Sequence, residues 1–86
     1  MKKRVVIENR LQDVKNYYAD MGYDVRALHF NNEIHDIDPN QYDAIIVNDI
    51  NNSNLSSNTK KSGKVVEAMG LVPHQVYEKM NSRGQQ

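Results

Sequence analysis

Two short apolar runs constrain the fold of this chain most strongly. The first is VVI at residues 5–7, and the second is the AIIV of YDAIIVN at residues 42–48. Each run is too short for a helix and is apolar at every position, which is typical of a strand that is buried on both faces. Strands of this kind belong to parallel sheets that are covered on both sides, so the chain is predicted to fold around such a sheet.

A helix is predicted in NRLQDVKNYYADMG, at residues 9–22. Four of its side chains recur at three- and four-residue spacing and share one apolar face: Leu11, Val14, Tyr18 and Met21. Asn9 is predicted to cap the first turn with its side chain. Gly22 is predicted to end the helix, because glycine adopts the left-handed conformation there at low cost.

The rest of the chain repeats this alternation. We predict a strand at residues 23–30, a proline turn at residues 38–41, a strand at residues 64–69, and a last helix that starts at Pro73 and frays near Gly84. The polar run between the last two strands, at residues 48–63, is predicted to be a loop whose polarity suits mobility. The end of the chain, at residues 83–86, is expected to fray.

This order of elements predicts the α/β class. We expect one domain over residues 1–86, built in three layers: a mostly parallel four-stranded sheet with helices packed on it, similar to half of a Rossmann or flavodoxin-like fold. The expected strand order is 2-1-3-4, with right-handed crossovers. The direction of the strand order reverses between the first and third strands. In sheets of this kind, ligands bind beyond the carboxyl ends of the strands at such a reversal.

The reversal defines the candidate site. Its residues follow the first and third strands or belong to the lysine cluster of the polar run: Glu8, Asn9, Arg10, Asn48, Asp49, Asn51, Lys60, Lys61 and Lys64. Lysines and backbone amides could together hold a small anionic ligand, although a solvated lysine cluster is the commoner arrangement.

Three specific chemistries can be considered for this site, and the chain lacks a feature that each of them requires. A calcium loop starting at Asp49 would need a carboxylate where Lys60 stands. SGK at residues 62–64 resembles the end of a P-loop, but a strand follows it instead of a helix. A magnesium-assisted phosphoryl site on Glu8 and Asp49 would need more strand-helix units than the chain holds. No metal or cofactor is therefore expected.

The histidines give no stronger signal. His29 is predicted to be a core residue of the second strand, His35 to face solvent, and His74 to lie in the first turn of the last helix. No nucleophile stands at a spacing that would pair it with one of them. The sequence therefore favours a protein that is not an enzyme.

Composition limits the partners. The 86 residues carry 11 basic and 11 acidic side chains, so no net charge attracts nucleic acid or an anionic membrane. Cysteine is absent, which excludes disulfides and thiolate chemistry. The start MKKRVVIENR has too few apolar residues for a signal peptide or a membrane span. We expect a cytoplasmic protein.

Four segments of the chain together carry a resemblance to a known family: IENRLQDVKNYYADMGYDV, YDAIIVND, SNLSSNT and KVVEAMGLVPHQVYEKM. With these segments the chain resembles the YkuS-like family of small uncharacterised bacterial proteins. The family pattern has a glycine-containing loop where this chain has Asn48 and Asp49, and a threonine cap where it has Val72. The resemblance implies the fold and no activity.

The function expected from the sequence is a small binding or regulatory module that is not an enzyme. Open sheet edges and a small core favour a homodimer, because pairing buries an exposed edge. An unidentified protein or small anionic ligand is the other expected partner. The alternative is a binder of a phosphate- or nucleotide-type ligand at the carboxyl ends of strands one and three.

Overall fold

A computed structural model describes residues 3–29, 34–51 and 53–83 of the chain. In chain order its elements are β1 (Arg4–Glu8), α1 (Gln12–Asp20), β2 (Asp24–Leu28), a 3₁₀ turn (Pro39–Gln41), β3 (Ala44–Val47), α2 (Ser57–Lys60), β4 (Val65–Glu67) and α3 (Pro73–Arg83). The predicted fraying near Gly84 lies outside the described residues. None of the helices in the described ranges has both the length and the apolar composition needed to cross a bilayer.

The four strands form one parallel sheet in the order β2-β1-β3-β4. The register places Val6 beside Arg26 on one side and beside Ile45 on the other. This arrangement confirms the predicted fold class, the parallel sheet and the strand order. β1 and β3 lie in the centre, which explains why residues 5–7 of β1 and all four residues of β3 are apolar.

Each face of the sheet has its own apolar core. On the first face, Val5, Ile7 and Ile46 pack with Tyr18 of α1 and Val76 of α3. On the second face, the sheet residues Val6, Leu28, Ile45 and Val47 pack with Tyr42 and Leu55. The first face is thus covered by the two longer helices, and the second by the segments on either side of β3 that contain Ile37, Tyr42 and Leu55.

The ends of α1 differ in how well they follow the prediction. Gly22 has φ 91° and its N–H donates to the carbonyl of Ala19 at 3.0 Å, so glycine ends the helix as predicted. The Asn9 cap is wrong. Leu11 occupies the cap position without a side-chain hydrogen bond, and Asn9 Oδ1 accepts instead from Lys15 Nζ at 2.8 Å.

The start of α3 follows the prediction. Pro73 is its first residue, where a missing N–H has no cost. Val72 precedes it and offers no side-chain oxygen, but its N–H donates to Oε1 of Gln75 at 3.1 Å. Gln75 therefore supplies one of the two hydrogen bonds of a capping box, the one in which a side chain in the first turn accepts from the N–H of the cap residue.

Several side chains of the polar run after β3 contribute to the fold. Leu55 is 3% exposed and anchors the run in the second core. Ser56 caps α2, because its Oγ accepts from the N–H of Thr59 at 3.2 Å. Thr59 is fully buried, and its Oγ1 accepts from the N–H of Ile37 at 3.0 Å and donates to the Ile37 carbonyl at 3.1 Å. The hydroxyl groups of this run thus fasten it to the chain that follows β2.

Candidate functional site

The predicted site begins at the carboxyl ends of β1 and β3, where Glu8 holds the two strands together. Its side chain is largely buried, and Oε1 accepts from the N–H of Asn48 at 3.0 Å. Its other oxygen forms an ion pair with Arg10, whose side chain is 63% exposed. Both carboxylate oxygens therefore already have partners, and Glu8 serves the fold.

The neighbouring acids are also engaged with backbone. Asp49 Oδ1 accepts from the N–H of Asn51 at 3.0 Å, which shapes the turn after β3. Glu67, at the end of β4, accepts from the N–H of Ile50 at 3.0 Å through Oε2. Glu67 was not among the residues predicted from the sequence, although it follows the apolar pair of β4 in the same way that Glu8 follows the apolar run of β1.

The three predicted lysines lie at the opposite edge of the sheet. Lys60 ends α2, Lys61 follows it, and Lys64 directly precedes β4. Lys64 Nζ donates to the carbonyl of Tyr42, which lies just before β3. A strand of four residues spans about 13 Å. The structure therefore brings Glu8, Asn9, Arg10, Asn48, Asp49 and Asn51 together and separates them from Lys60, Lys61 and Lys64.

A metal centre is not evident in the described residues. Within residues 3–29, 34–51 and 53–83, no three His, Asp or Glu side chains form a group that could hold a metal ion. At the carboxyl edge, the carboxylates of Glu8, Asp49 and Glu67 each bind a different backbone N–H. The strand ends are thus arranged to fix the turns.

A different depression is better formed, on the second face of the sheet. It has a volume of about 440 Å³ and lies between β2 and residues 35–42. Its lining includes Val6, Arg26, Leu28, Ile37, Asp38 and Tyr42. We call this depression the β2 groove. Its volume falls within the range of sites for small molecules, about 300 to 1,000 Å³.

An arginine and a tyrosine meet within the β2 groove. Arg26 Nη1 donates to the hydroxyl of Tyr42 at 2.6 Å. The guanidinium carbon of Arg4 lies 5.8 Å from the centroid of the same ring. Arg4 also forms an exposed ion pair with Asp24 at 3.5 Å. Two guanidinium groups therefore lie close to the Tyr42 side chain.

The acidic residues of the groove are held by the chain itself. Asp36 Oδ1 accepts from Ser56 Oγ at 2.7 Å. Asp38 Oδ1 accepts from the N–H of Asn40 at 2.9 Å and caps the 3₁₀ turn. Asp36 and Asp38 thus each accept a hydrogen bond from another group of the groove wall. Arg26 has further N–H donors besides Nη1, and these can bind a ligand in the groove.

The histidines lie in three different settings. His29 is exposed and follows the end of β2, so its prediction as a core residue is wrong. His35 is half-buried, and its backbone is hydrogen-bonded to Asn54 and Ser56. His74 is exposed, and its Nε2 lies 3.8 Å from Oε1 of Glu78, one helical turn away. His29 and His35 both line the β2 groove.

Four tyrosines form a cluster on the first face. Tyr18 is fully buried and makes edge-to-face contacts with Tyr23 and Tyr77 at centroid distances of 5.0 and 5.9 Å. Burial and the neighbouring Tyr77 raise the pKa of Tyr23 to about 12. Hydrogen bonds with Asn81 and Tyr23 lower the pKa of Tyr77. Tyr17 is half-buried beside them, and the cluster joins α1 to α3.

Sequence reasoning missed the β2 groove. The signal that was present is the alternation in β2, where Arg26 shares a side with Leu28 and thus faces the second core. The partner of Arg26 could not be found in this way, because Tyr42 lies 16 residues further along the chain. Tyr42 was identified only as the start of a strand.

Comparisons with known proteins identify the family without adding an activity. The searches of curated proteins and of solved structures gave no match. A family model described as an uncharacterised protein family, UPF0180, matches residues 3–83, which is consistent with the YkuS-like resemblance. The chain belongs to the uncharacterised protein family UPF0180.

Proposed function

We propose that this protein is a binding module that takes up a small organic acid in the β2 groove and is not an enzyme. The observation that carries the proposal is the groove itself, a depression of about 440 Å³ whose lining combines an arginine with the apolar side chains of Val6, Leu28 and Ile37. Pockets with an apolar lining and a few convergent polar groups are the usual form of small-molecule sites.

The chemistry of the ligand follows from Arg26. Guanidinium groups present several N–H donors in one plane and suit a carboxylate or phosphate. Arg26 donates to Tyr42 through Nη1, and a guanidinium carries five such donors in all. Val6 and Leu28 line the same groove on the same face of the sheet and favour a short hydrocarbon chain or ring. An organic anion with one acidic group and an apolar body matches both the guanidinium group and the apolar side chains of the groove.

We propose binding rather than catalysis because the serine and threonine hydroxyl groups next to Asp36 and Ile37 of the groove have structural roles. Ser56 caps α2 and donates to Asp36, and Thr59 fastens α2 to Ile37. Both hydroxyl groups are thereby committed to holding the wall of the groove. We infer that the groove recognises its ligand and leaves it unchanged.

The phosphate or nucleotide alternative is not supported by the geometry. It requires the strand ends and the lysines to contact one ligand. The lysines instead lie at the amino edge of the sheet, and the Glu8 carboxylate stands at the carboxyl edge.

We propose that the module works in the cytoplasm of a bacterium, as the resemblance and the composition suggest. Cell fractionation, followed by detection of the protein in each fraction, tests this setting. Recovery with the envelope or in the culture medium would contradict it.

A thermal-unfolding screen tests the ligand proposal. The wild type is compared with Arg26→Gln and with Lys61→Gln, an exposed lysine outside the groove, across a panel of small aromatic and aliphatic carboxylates. A ligand at one hundred times its dissociation constant should add about 2.7 kcal/mol to the free energy of unfolding. Each kcal/mol should raise the midpoint by about 4 to 8 °C in a domain of this size.

The two variants separate the outcomes. A rise in the wild type and in Lys61→Gln that is lost in Arg26→Gln supports the groove. A rise that is lost in Lys61→Gln and kept in Arg26→Gln would move the site to the amino edge and contradict the proposal. No rise with any acid of the panel would also contradict it.

A further inference from the structure

The outer edge of β2 has a defined set of outward backbone groups. The N–H of Asp24 donates to the carbonyl of Lys3 at 2.8 Å, and the carbonyl of Leu28 accepts from Asn9 at 2.9 Å. In a parallel ladder the groups that face a given neighbour alternate along the strand. Asp24, Arg26 and Leu28 therefore face β1, while Val25 and Ala27 turn their N–H and C=O groups outward.

The two charged residues of this edge have opposite signs, so the edge is complementary to a second copy of itself. Asp24, Val25 and Arg26 are consecutive, and the two charged side chains lie on the same face of the sheet. We propose that β2 pairs antiparallel with β2 of a second copy of this chain, around a two-fold axis at Val25. Val25 then exchanges two backbone hydrogen bonds with Val25 of the second copy. Asp24 of each copy lies opposite Arg26 of the other.

This register brings the charged side chains close together. Asp24 and Arg26 direct their own backbone groups toward β1, so they occupy the closely spaced positions of the new ladder, with Cα atoms about 4.5 Å apart. A register centred on Arg26 would instead place the two Arg26 side chains opposite each other, and like charges there destabilise a sheet. The charge order thus selects the register centred on Val25.

The opposite edge of the sheet is less suited to pairing. β4 has only three residues, against five in β2. The carbonyl of Glu67 accepts from Lys79 Nζ at 3.4 Å, so a lysine covers part of that edge. Short strands and edge lysines are devices that prevent pairing. β2 contains neither proline, glycine nor lysine and is the edge that remains suited to a partner.

Pairing at β2 would join the two sheets into one of eight strands. The two-fold axis is perpendicular to the sheet, so both β2 grooves lie on the same side and flank the seam. Arg26 then lies both in the groove and at the seam. The proposal rests on the backbone register and the charge order of β2, and it stands whether or not the groove binds an acid.

Charge reversal tests the pairing. Sedimentation equilibrium of the wild type, from micromolar to millimolar concentration, should show a mass that rises from 9.9 kDa toward twice that value. Asp24→Arg and Arg26→Asp should each remain monomeric at concentrations where the wild type is dimeric. Asp20→Arg and Lys61→Asp, charge reversals outside β2, should dimerise like the wild type.

An equimolar mixture of the two β2 variants provides the sharpest readout. One copy then carries two arginines on its edge and the other carries two aspartates, so the mixture should form a heterodimer although neither variant dimerises alone. Circular dichroism checks that each variant is folded. A monomeric wild type at millimolar concentration, a dimer that neither β2 variant weakens, or a mixture that stays monomeric would each overturn the proposal.

Discussion

The carboxylate of Glu8 accepts a hydrogen bond of 3.0 Å from the backbone N–H of Asn48, 40 residues further along the chain. This bond joins the ends of β1 and β3, where the strand order reverses. In many α/β proteins that position is left for a ligand. Here a buried carboxylate of the protein occupies it, which explains why an acidic residue ends β1.

Removing this carboxylate should destabilise the fold. We expect Glu8→Ala to lower the free energy of unfolding by about 1 to 3 kcal/mol, because the Asn48 N–H loses its acceptor. Glu8→Gln should have a smaller effect, since its amide oxygen can still accept. Urea denaturation measures both. Glu78→Ala, an exposed control, should change stability by less than about 0.5 kcal/mol. An equal loss for Glu8→Ala and Glu78→Ala would contradict the role of Glu8.

Thr59 provides the second test. Its buried hydroxyl binds both backbone groups of Ile37. Thr59→Val keeps the shape of the side chain but leaves these groups without that partner, so we expect a loss of about 1 to 3 kcal/mol. Thr59→Ser keeps the hydroxyl and should lose less. If valine were tolerated as well as serine, the polar run would not be fastened through this residue.

The tyrosine cluster predicts a dependence of stability on high pH. The pKa of Tyr23 is raised to about 12 from an ordinary value of 10.0, so the folded state holds its proton more tightly than the unfolded state does. This contribution is complete below pH 10 and is lost as the pH rises from about 10 to 12. The lowered pKa of Tyr77 acts in the opposite direction and offsets part of the loss.

Urea midpoints measured across this pH range test the linkage. The wild type should lose stability on going from pH 10 toward pH 12, and Tyr23→Phe should show a flatter profile. The absorbance change of tyrosinate formation near pH 12 should be smaller in Tyr23→Phe than in the wild type. A Tyr23→Phe profile parallel to that of the wild type would show that Tyr23 ionises normally in the folded state.

The sheet could be predicted because its signals are local. The apolar runs at Val5–Ile7 and Ala44–Val47 identify the two central strands, and Gly22 marks the end of α1. Parallel pairing and strand order then follow from general rules of connection. The Asn9 cap failed because the chain continues in a turn before α1, where Asn9 binds Lys15.

The site could not be predicted in the same way because it depends on distant contacts. Lys60, Lys61 and Lys64 stand close to Asp49 in sequence, but a parallel crossover must return to the amino edge before β4 begins at Val65. This return carries the lysines away from the strand ends. The β2 groove arises from the approach of residues 35–42 to β2, which no local pattern encodes.

A groove variant should separate ligand recognition from folding. Tyr42→Phe keeps the ring in the second core and removes only the hydroxyl that binds Arg26. We expect stability to fall by about 0.5 to 1.5 kcal/mol. Affinity for the acid that gives the largest thermal shift should weaken, because Arg26 loses the contact that orients it. Calorimetric titration measures the affinity, and an unchanged affinity would contradict this role for Tyr42.

The most direct test of the binding proposal is an NMR titration of ¹⁵N-labelled protein with the small carboxylates of the thermal screen. We expect saturable shifts of the amides of residues 26–28, 35–38 and 40–42, and little change at residues 8–10 and 48–51. Shifts confined to the strand ends, or to the lysines at the amino edge, would contradict the β2 groove as the binding site. The absence of saturable shifts for every acid would contradict the proposed function itself.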